Sequence, residues 1–200
     1  MRCVPSWKVS SSVTVYTIGH SNRAVDELLA VLDSAEIKTL VDVRAFPQSK
    51  RNPHFDRALL QTAIEESKRI YHWAGRQLGG FREPSPDSPN IAIDPALRGY
   101  ADHTRSTVFQ NAVTQLIRLA ARAPTAVMCA ERNAIDCHRS VIADYLILLG
   151  HRVIHLVDVD SHYDHQLHAT ARRESQCLVY DRQTQTTLNF EFGPGATKLN

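Results

Sequence analysis

The period of apolar positions changes several times along the chain. Val13 to Ile18, VTVYTI, is β-branched and aromatic, which predicts a strand. Gly19-His20-Ser21-Asn22 follows, with Ser21 or Asn22 placed to cap a helix. In AVDELLAVLDSA, Val25, Leu28, Leu29 and Leu32 then recur at three- and four-residue spacing behind acids in the first turn, the pattern of an amphipathic helix. TLVDVR, Thr39 to Arg44, predicts a second strand, AFPQSKRNPHF a basic loop, and DRALLQTAIEESKR a helix with Leu59, Leu60, Ala63 and Ile64 on one face. IYHW, Ile70 to Trp73, predicts a short third strand.

AGRQLGGFREPSPDSPN is crowded with Gly and Pro and reads as an irregular surface excursion. Helical spacing resumes near Ser106 and runs to about Arg122 through Phe109, Val113, Leu116 and Ile117. TAVMCA predicts the fourth strand, CHRSVIADYLILLG a helix stopped by Gly150, and VIHLV the fifth strand. Beyond Asp158 the pattern degrades: SHYDHQLHATARRESQ is polar, and CLVYDRQTQTTLNFEF suits a terminal hairpin or an added edge. Strands alternating with helices force parallel pairing through crossovers. The expectation is an α/β fold, a Rossmann-like three-layer sandwich around a mainly parallel five-stranded sheet with a C-terminal hairpin. A single domain over 13–180 is expected, with residues 1–12 as an extension and 181–200 as a tail or edge hairpin.

Composition narrows the class. The 23 basic and 21 acidic side chains nearly cancel, so any anion site must be local rather than a whole-chain field. Four cysteines in 200 residues make no dense disulfide framework, and no apolar run approaches the roughly 18 residues of a membrane span. The start of the chain lacks the apolar run of a secretory signal. These observations predict a soluble cytoplasmic protein with no membrane partner; its oligomeric state is left open.

In an open parallel sheet, ligands bind outside the carboxyl ends of the strands. Here those ends deliver His20, Ser21 and Asn22 after strand one, Asp42 and Arg44 at strand two, Cys129 and Glu131 at strand four, and then Cys137, His138 and Arg139 where the next helix starts. Asp42 sits among apolar neighbours, where a carboxylate needs a partner; Arg44 or Arg139 is expected to supply it.

TIGHSN, LVDVRAFPQSKRNPHF, LGG, GYADH followed by F, and above all CAERNAIDCHR resemble the family catalogued as domain of unknown function number 488, in the family's order from about Tyr16 to Val157. The resemblance implies a Rossmann-like domain whose motifs form one pocket, and it implies no reaction.

The residues leave three readings of that pocket. In the first, Arg44, Arg139 and the loop cations Lys50, Arg51 and Arg57, with helix N-terminal N–H groups, hold the phosphate of a nucleotide or nucleic acid, while Glu131, His138 and His20 handle protons. Ser21, Asn22 and Asp42 complete the expected binding rim. Phe55, with Tyr71, His72 and Trp73, would give exposed bases something to stack on. The second is a thiolate enzyme of rhodanese-like or redox type using Cys129 or Cys137, the latter at a helix start that favours the thiolate. Cysteine phosphatases need an arginine six positions after the nucleophile, and Ile135 stands there. The third is a non-catalytic nucleic-acid-binding module using the same basic rim. Cys129, Cys137 and His138 also invite a zinc reading, but the eight positions between the cysteines do not match the short spacing of structural zinc sites, so neither metal nor cofactor is expected. His162, His165 and His168, spread over more than one side of a helix, read as solvated surface.

Overall fold

A computed structural model of the chain describes residues 11–48, 51–174 and 177–182. Strands β1 (Thr14–Gly19), β2 (Thr39–Asp42), β3 (Ile70–Trp73), β4 (Thr125–Cys129) and β5 (Arg152–Asp158) are mutually parallel, and β6 (Ser161–Asp164) adds an antiparallel edge. Their order is β3-β2-β4-β1-β5-β6. The sheet therefore has six strands where the apolar pattern predicts five. All four residues of β6, SHYD, are exposed, so no apolar alternation announces it.

Every residue of β2 and β4 is buried, as expected of strands covered on both faces. Helices α1 (Val25–Ser34) and α2 (Arg57–Glu66) pack Leu28, Val31, Leu32, Leu60 and Ile64 into one apolar layer. On the other face, α4 (Pro95–His103), α5 (Thr107–Ala120) and α6 (Arg139–Leu148) contribute Tyr100, Phe109, Val113, Leu116, Val141 and Leu146 to a second layer.

One helix interrupts the segment expected to be irregular, and a second forms between that segment and Ser106, where the apolar pattern predicts none. The short α3 (Gly75–Leu78) follows β3 directly, and α4 starts at Asp94-Pro95, where Asp94 accepts from the Ala96 N–H at 2.8 Å and proline occupies the first helical position. Neither Ser21 nor Asn22 caps α1; its N-cap is Ala24, whose N–H donates to the Glu27 carboxylate at 2.8 Å. An antiparallel hairpin, β7 (Ala171–Glu174) with β8 (Cys177–Tyr180), closes the described chain. It draws its first strand from the polar stretch before CLVY. The part of the expected tail beyond 182, and most of the N-terminal extension, lie outside the described residues. No helix among the described residues is long and apolar enough to cross a membrane.

Topology places a crevice between β1 and β4. From β1 the chain crosses by α1 toward β2, and from β4 it crosses by α6 in the other direction, to β5, so the two following loops diverge over opposite faces. Gly19 and Cys129 are register partners at this switch point. The loop after β4 runs so close that a Cβ on Gly19 would lie 1.8 Å from the Glu131 carbonyl oxygen, so only glycine fits there.

Candidate functional site at the carboxyl edge of the sheet

A cavity of about 670 Å³ opens at this crevice. His20, Arg44, Cys129, Glu131, Cys137 and His138 line it from the sheet side, and the Gly80–Pro84 segment with Pro95, Leu97 and Tyr100 closes the other side. The ends of β1, β2 and β4 and the start of α6 thus meet one space.

The floor is a compact cluster. Cys129, at the last position of β4, and Cys137 and His138, just before α6, place one sulfur or ring nitrogen each within 4.8 Å of one another. The His138 Nδ1 lies 3.7 Å from the Cys137 Sγ and 3.9 Å from the Cys129 Sγ. The Cys129 thiol donates to the Glu131 carboxylate at 3.2 Å. Both thiols are free of disulfides and buried, and the Nε2 of His138 is buried with no hydrogen-bond partner among the described residues. The two thiols titrate as a unit: hydrogen bonding from Cys129, then from His138, holds Cys137 below the usual thiol range, and the same contact with Cys137 plus burial pushes Cys129 up. Arg139 is near enough to favour negative charge on both sulfurs.

The expected arginine clamp is organised differently. Asp42 is fully buried and accepts from the Arg44 Nε and Nη2, from the Arg44 backbone N–H and from the Tyr71 hydroxyl at 2.6 Å. The remaining Nη1 of Arg44 donates to the Phe55 carbonyl at 2.8 Å and faces the His20 Nε2 at 3.2 Å. Arg44 borders the cavity with its guanidinium already engaged. Arg139, 1% exposed, does not border the cavity: it donates to the Thr17 hydroxyl and to the carbonyls of Glu131 and Arg132, strapping down the loop that carries Glu131. Of the charged lining, Arg44 and Arg82 are cationic against Glu83, Glu131 and Asp136, so the cavity is not electropositive.

His20 is buried and stacks on Phe55 with ring centroids 4.2 Å apart. Its Nδ1–H donates to the Ser21 carbonyl at 2.9 Å, which makes Nε2 the acceptor for Arg44. Burial, reinforced by the Arg44 charge, lowers its pKa to about 4. Ser21, with φ of 50°, and exposed Asn22 lie outside the cavity lining; Arg51 is exposed and outside it as well, and Lys50 falls outside the described residues.

Tyr71 points its hydroxyl at Asp42, and Trp73 donates to the Arg44 carbonyl under the Arg57 guanidinium, so neither forms a stacking wall here. That place is taken by Phe46 and Phe81, 73% and 89% exposed, whose ring centroids stand 5.9 Å apart at the mouth. Their sequence signal was a bulky apolar residue isolated in each of two polar loops. A second cavity of about 560 Å³ lies between β3 and α5, lined by His72, Gln77, Arg118 and Arg122 among others; its lining holds no thiol or carboxylate and shares no residue with that of the first.

A covered, mainly parallel sheet with its reactive side chains gathered at a topological switch point defines an α/β protein of the three-layer class. Residues 24–146 match the family described as domain of unknown function DUF488, which is more than half the chain and spans both the DVR and the CAE…CHR stretches; the chain belongs to that family. No curated protein and no solved structure matches it.

Proposed function

We propose that this protein is an enzyme that admits a nucleobase-bearing, phosphate-carrying ligand to the carboxyl-edge cavity and carries out acid–base chemistry on it. The observation that carries this reading is the meeting of Glu131, Cys129, Cys137 and His138 on the floor of a cavity whose mouth is flanked by two exposed phenylalanines. Protein surfaces seldom leave two large rings exposed side by side without a use, and a base inserted against them gains stacking energy whatever its identity. Glu131, exposed at the floor's edge and with no cation in salt-bridge range among the described residues, is the proton-transfer group; His138 lies across the thiols from it. Arg44 and Arg139 shape the site instead of gripping phosphate; Arg82, whose Nε and Nη2 donate to the Gly79 and Arg76 carbonyls, is the remaining cation at the rim and would meet the ligand's phosphate through Nη1.

Titration with adenosine 5′-monophosphate in a calorimeter tests the binding half. Phe46→Ala and Phe81→Ala should each weaken it roughly 5- to 150-fold, the range expected for one stacked base; affinities equal to the native protein's would overturn the reading. Mass spectrometry of nucleotides incubated with the protein tests the catalytic half, since Glu131→Gln should bind but leave them unconverted.

A second reading draws on the same floor: Cys137, held against both a thiol and an imidazole, is placed for covalent chemistry. It requires modification of Cys137 by iodoacetamide in the native protein ahead of Cys129. A purely binding role through a basic rim has less support, because the cations it needs are engaged or stand away from the cavity; it would show a steep salt dependence and indifference to Glu131→Gln.

A further inference from the structure

The floor cluster has the donor set and spacing of a metal site. A tetrahedral zinc ion with Zn–S of about 2.3 Å and Zn–N of about 2.0–2.1 Å holds its sulfur and nitrogen donors about 3.5–3.6 Å apart and its sulfurs about 3.8 Å apart. Here the two S···N separations are 3.7 and 3.9 Å, and all three donors fall within 4.8 Å. Adjustments of a few tenths of an ångström would bring the imidazole to both sulfurs at once.

We propose that Cys129, Cys137 and His138 bind one soft divalent ion of the zinc class through two sulfurs and the His138 Nδ1, with the fourth position open to the cavity beside Glu131. The inference rests on the proposed enzymatic reading only for the role of Glu131; ion binding stands without it.

Four observations support it. The eight-residue gap between the cysteines belongs to a strand end and a following helix start, so the fold supplies the convergence that short-spaced zinc loops obtain from their sequence. Gly80 stands against the ligating edge of the imidazole, where a Cβ would lie 3.0 Å from Nδ1 and would press on the ring. The Glu131 carboxylate is 3.2 Å from one sulfur, close enough to hold a water on the open position and accept its proton. Arg139, fully buried and without a carboxylate in salt-bridge range among the described residues, offsets the negative charge of two thiolates. Three protein donors with an open fourth position are the pattern of catalytic zinc, whereas structural sites are closed by four. The unpartnered Nε2 of His138 leaves the imidazole without the usual outer acceptor, which predicts weaker binding than in sites that have one, by roughly 10- to 100-fold.

The test is titration of the chelator-treated full-length protein with cobalt(II), whose absorption reports tetrahedral thiolate coordination. One equivalent should produce sulfur-to-metal charge-transfer bands that zinc then abolishes, and Cys129→Ser and Cys137→Ser should each fail to produce them while keeping the native circular dichroism spectrum. In the unsubstituted protein, zinc should protect Cys129 and Cys137 from iodoacetamide, a readout that needs no variant. Absent bands, bands retained in both serine variants, or thiols alkylated equally with and without zinc would overturn the site. Glu131→Gln separates the two claims: native cobalt spectra with lost nucleotide conversion support both, whereas native spectra with intact conversion leave the ion in place and remove Glu131 from the chemistry.

Discussion

Two polar clusters adjoin at the start of α6, one through Arg139 and the other through His138, and they differ in completeness. One runs from Arg139 to the Thr17 hydroxyl at 3.3 Å, on to His155 Nδ1 at 2.6 Å, from His155 Nε2 to His165 Nδ1 at 2.8 Å, from His165 Nε2 to Asp144 at 2.8 Å, and is closed by the Tyr180 hydroxyl on Asp144 at 2.7 Å. A guanidinium only donates and a carboxylate only accepts, so the two ends fix every proton between them: Thr17 donates to His155, His155 to His165, and His165 to Asp144. From Thr17 to Tyr180 every side chain is partnered among the described residues, and the one unpartnered atom of this network is the Arg139 Nε at its far end. The other cluster, Cys129, Cys137, His138 and Glu131, contains an unpartnered ring nitrogen, two thiols in weak contacts and an exposed carboxylate. Closed networks rigidify a core, whereas unspent valences in a cavity mark the place where a ligand completes the bonding.

Substitutions should separate scaffold from site. The largest effect is expected at Asp42, which carries the Arg44 guanidinium: Asp42→Ala leaves that cation buried and should cost roughly 3–5 kcal/mol in urea unfolding. A smaller loss, about 1.5–3 kcal/mol, is expected for Tyr180→Phe, which removes a hydrogen bond to a buried carboxylate and ties the hairpin less firmly to α6.

Acid should act through two buried imidazoles, His155 in the scaffold and His20 at the edge of the cavity. Burial, then the neighbouring His165, lowers the His155 pKa to about 3, and His20 stands at about 4. The native state keeps both rings neutral while the unfolded chain protonates them below about pH 6.5, so their contribution is complete above that pH and is lost as pH falls toward the folded values. Unfolding free energy should therefore decline by up to about 1.4 kcal/mol per pH unit for each ring between pH 6.5 and 4. A flat profile over that window would mean that the rings are not held neutral. The smallest stability effects are expected at the cavity mouth, where Phe46→Ala and Phe81→Ala should stay within about 0.5 kcal/mol of the native protein in the same assay.

The comparison also separates what periodicity can and cannot convey. The five parallel strands and the helices α1, α2, α5 and α6 follow apolar spacing set by burial on one or two faces, and the reactive residues named at strand ends follow from the parallel topology. Helix α4 was hidden because Gly99 and its small, polar neighbours dilute the apolar stripe, although Asp94-Pro95 carried a start signal. His162, His165 and His168 do not share a helix: His162 lies on exposed β6 and His168 is exposed, while His165, just past β6, joins the buried chain through Asp144 and His155, partners 21 and 10 positions away. Phe81 reaches the mouth through a backbone at φ 61°, a conformation that no hydrophobic pattern encodes. The sequence conveys the charge of Arg139, and only the path of the loop over Gly19 reveals it as a strap.

The most direct test of the carboxyl-edge cavity as the working site is amide chemical-shift mapping during titration with adenosine 5′-monophosphate. Shifts should concentrate at Phe46, Gly80, Phe81, Ala130 and Glu131. Shifts confined to the lining of the second cavity, from His72 to Gln77 and from Val108 to Arg122, or none at all, would contradict it.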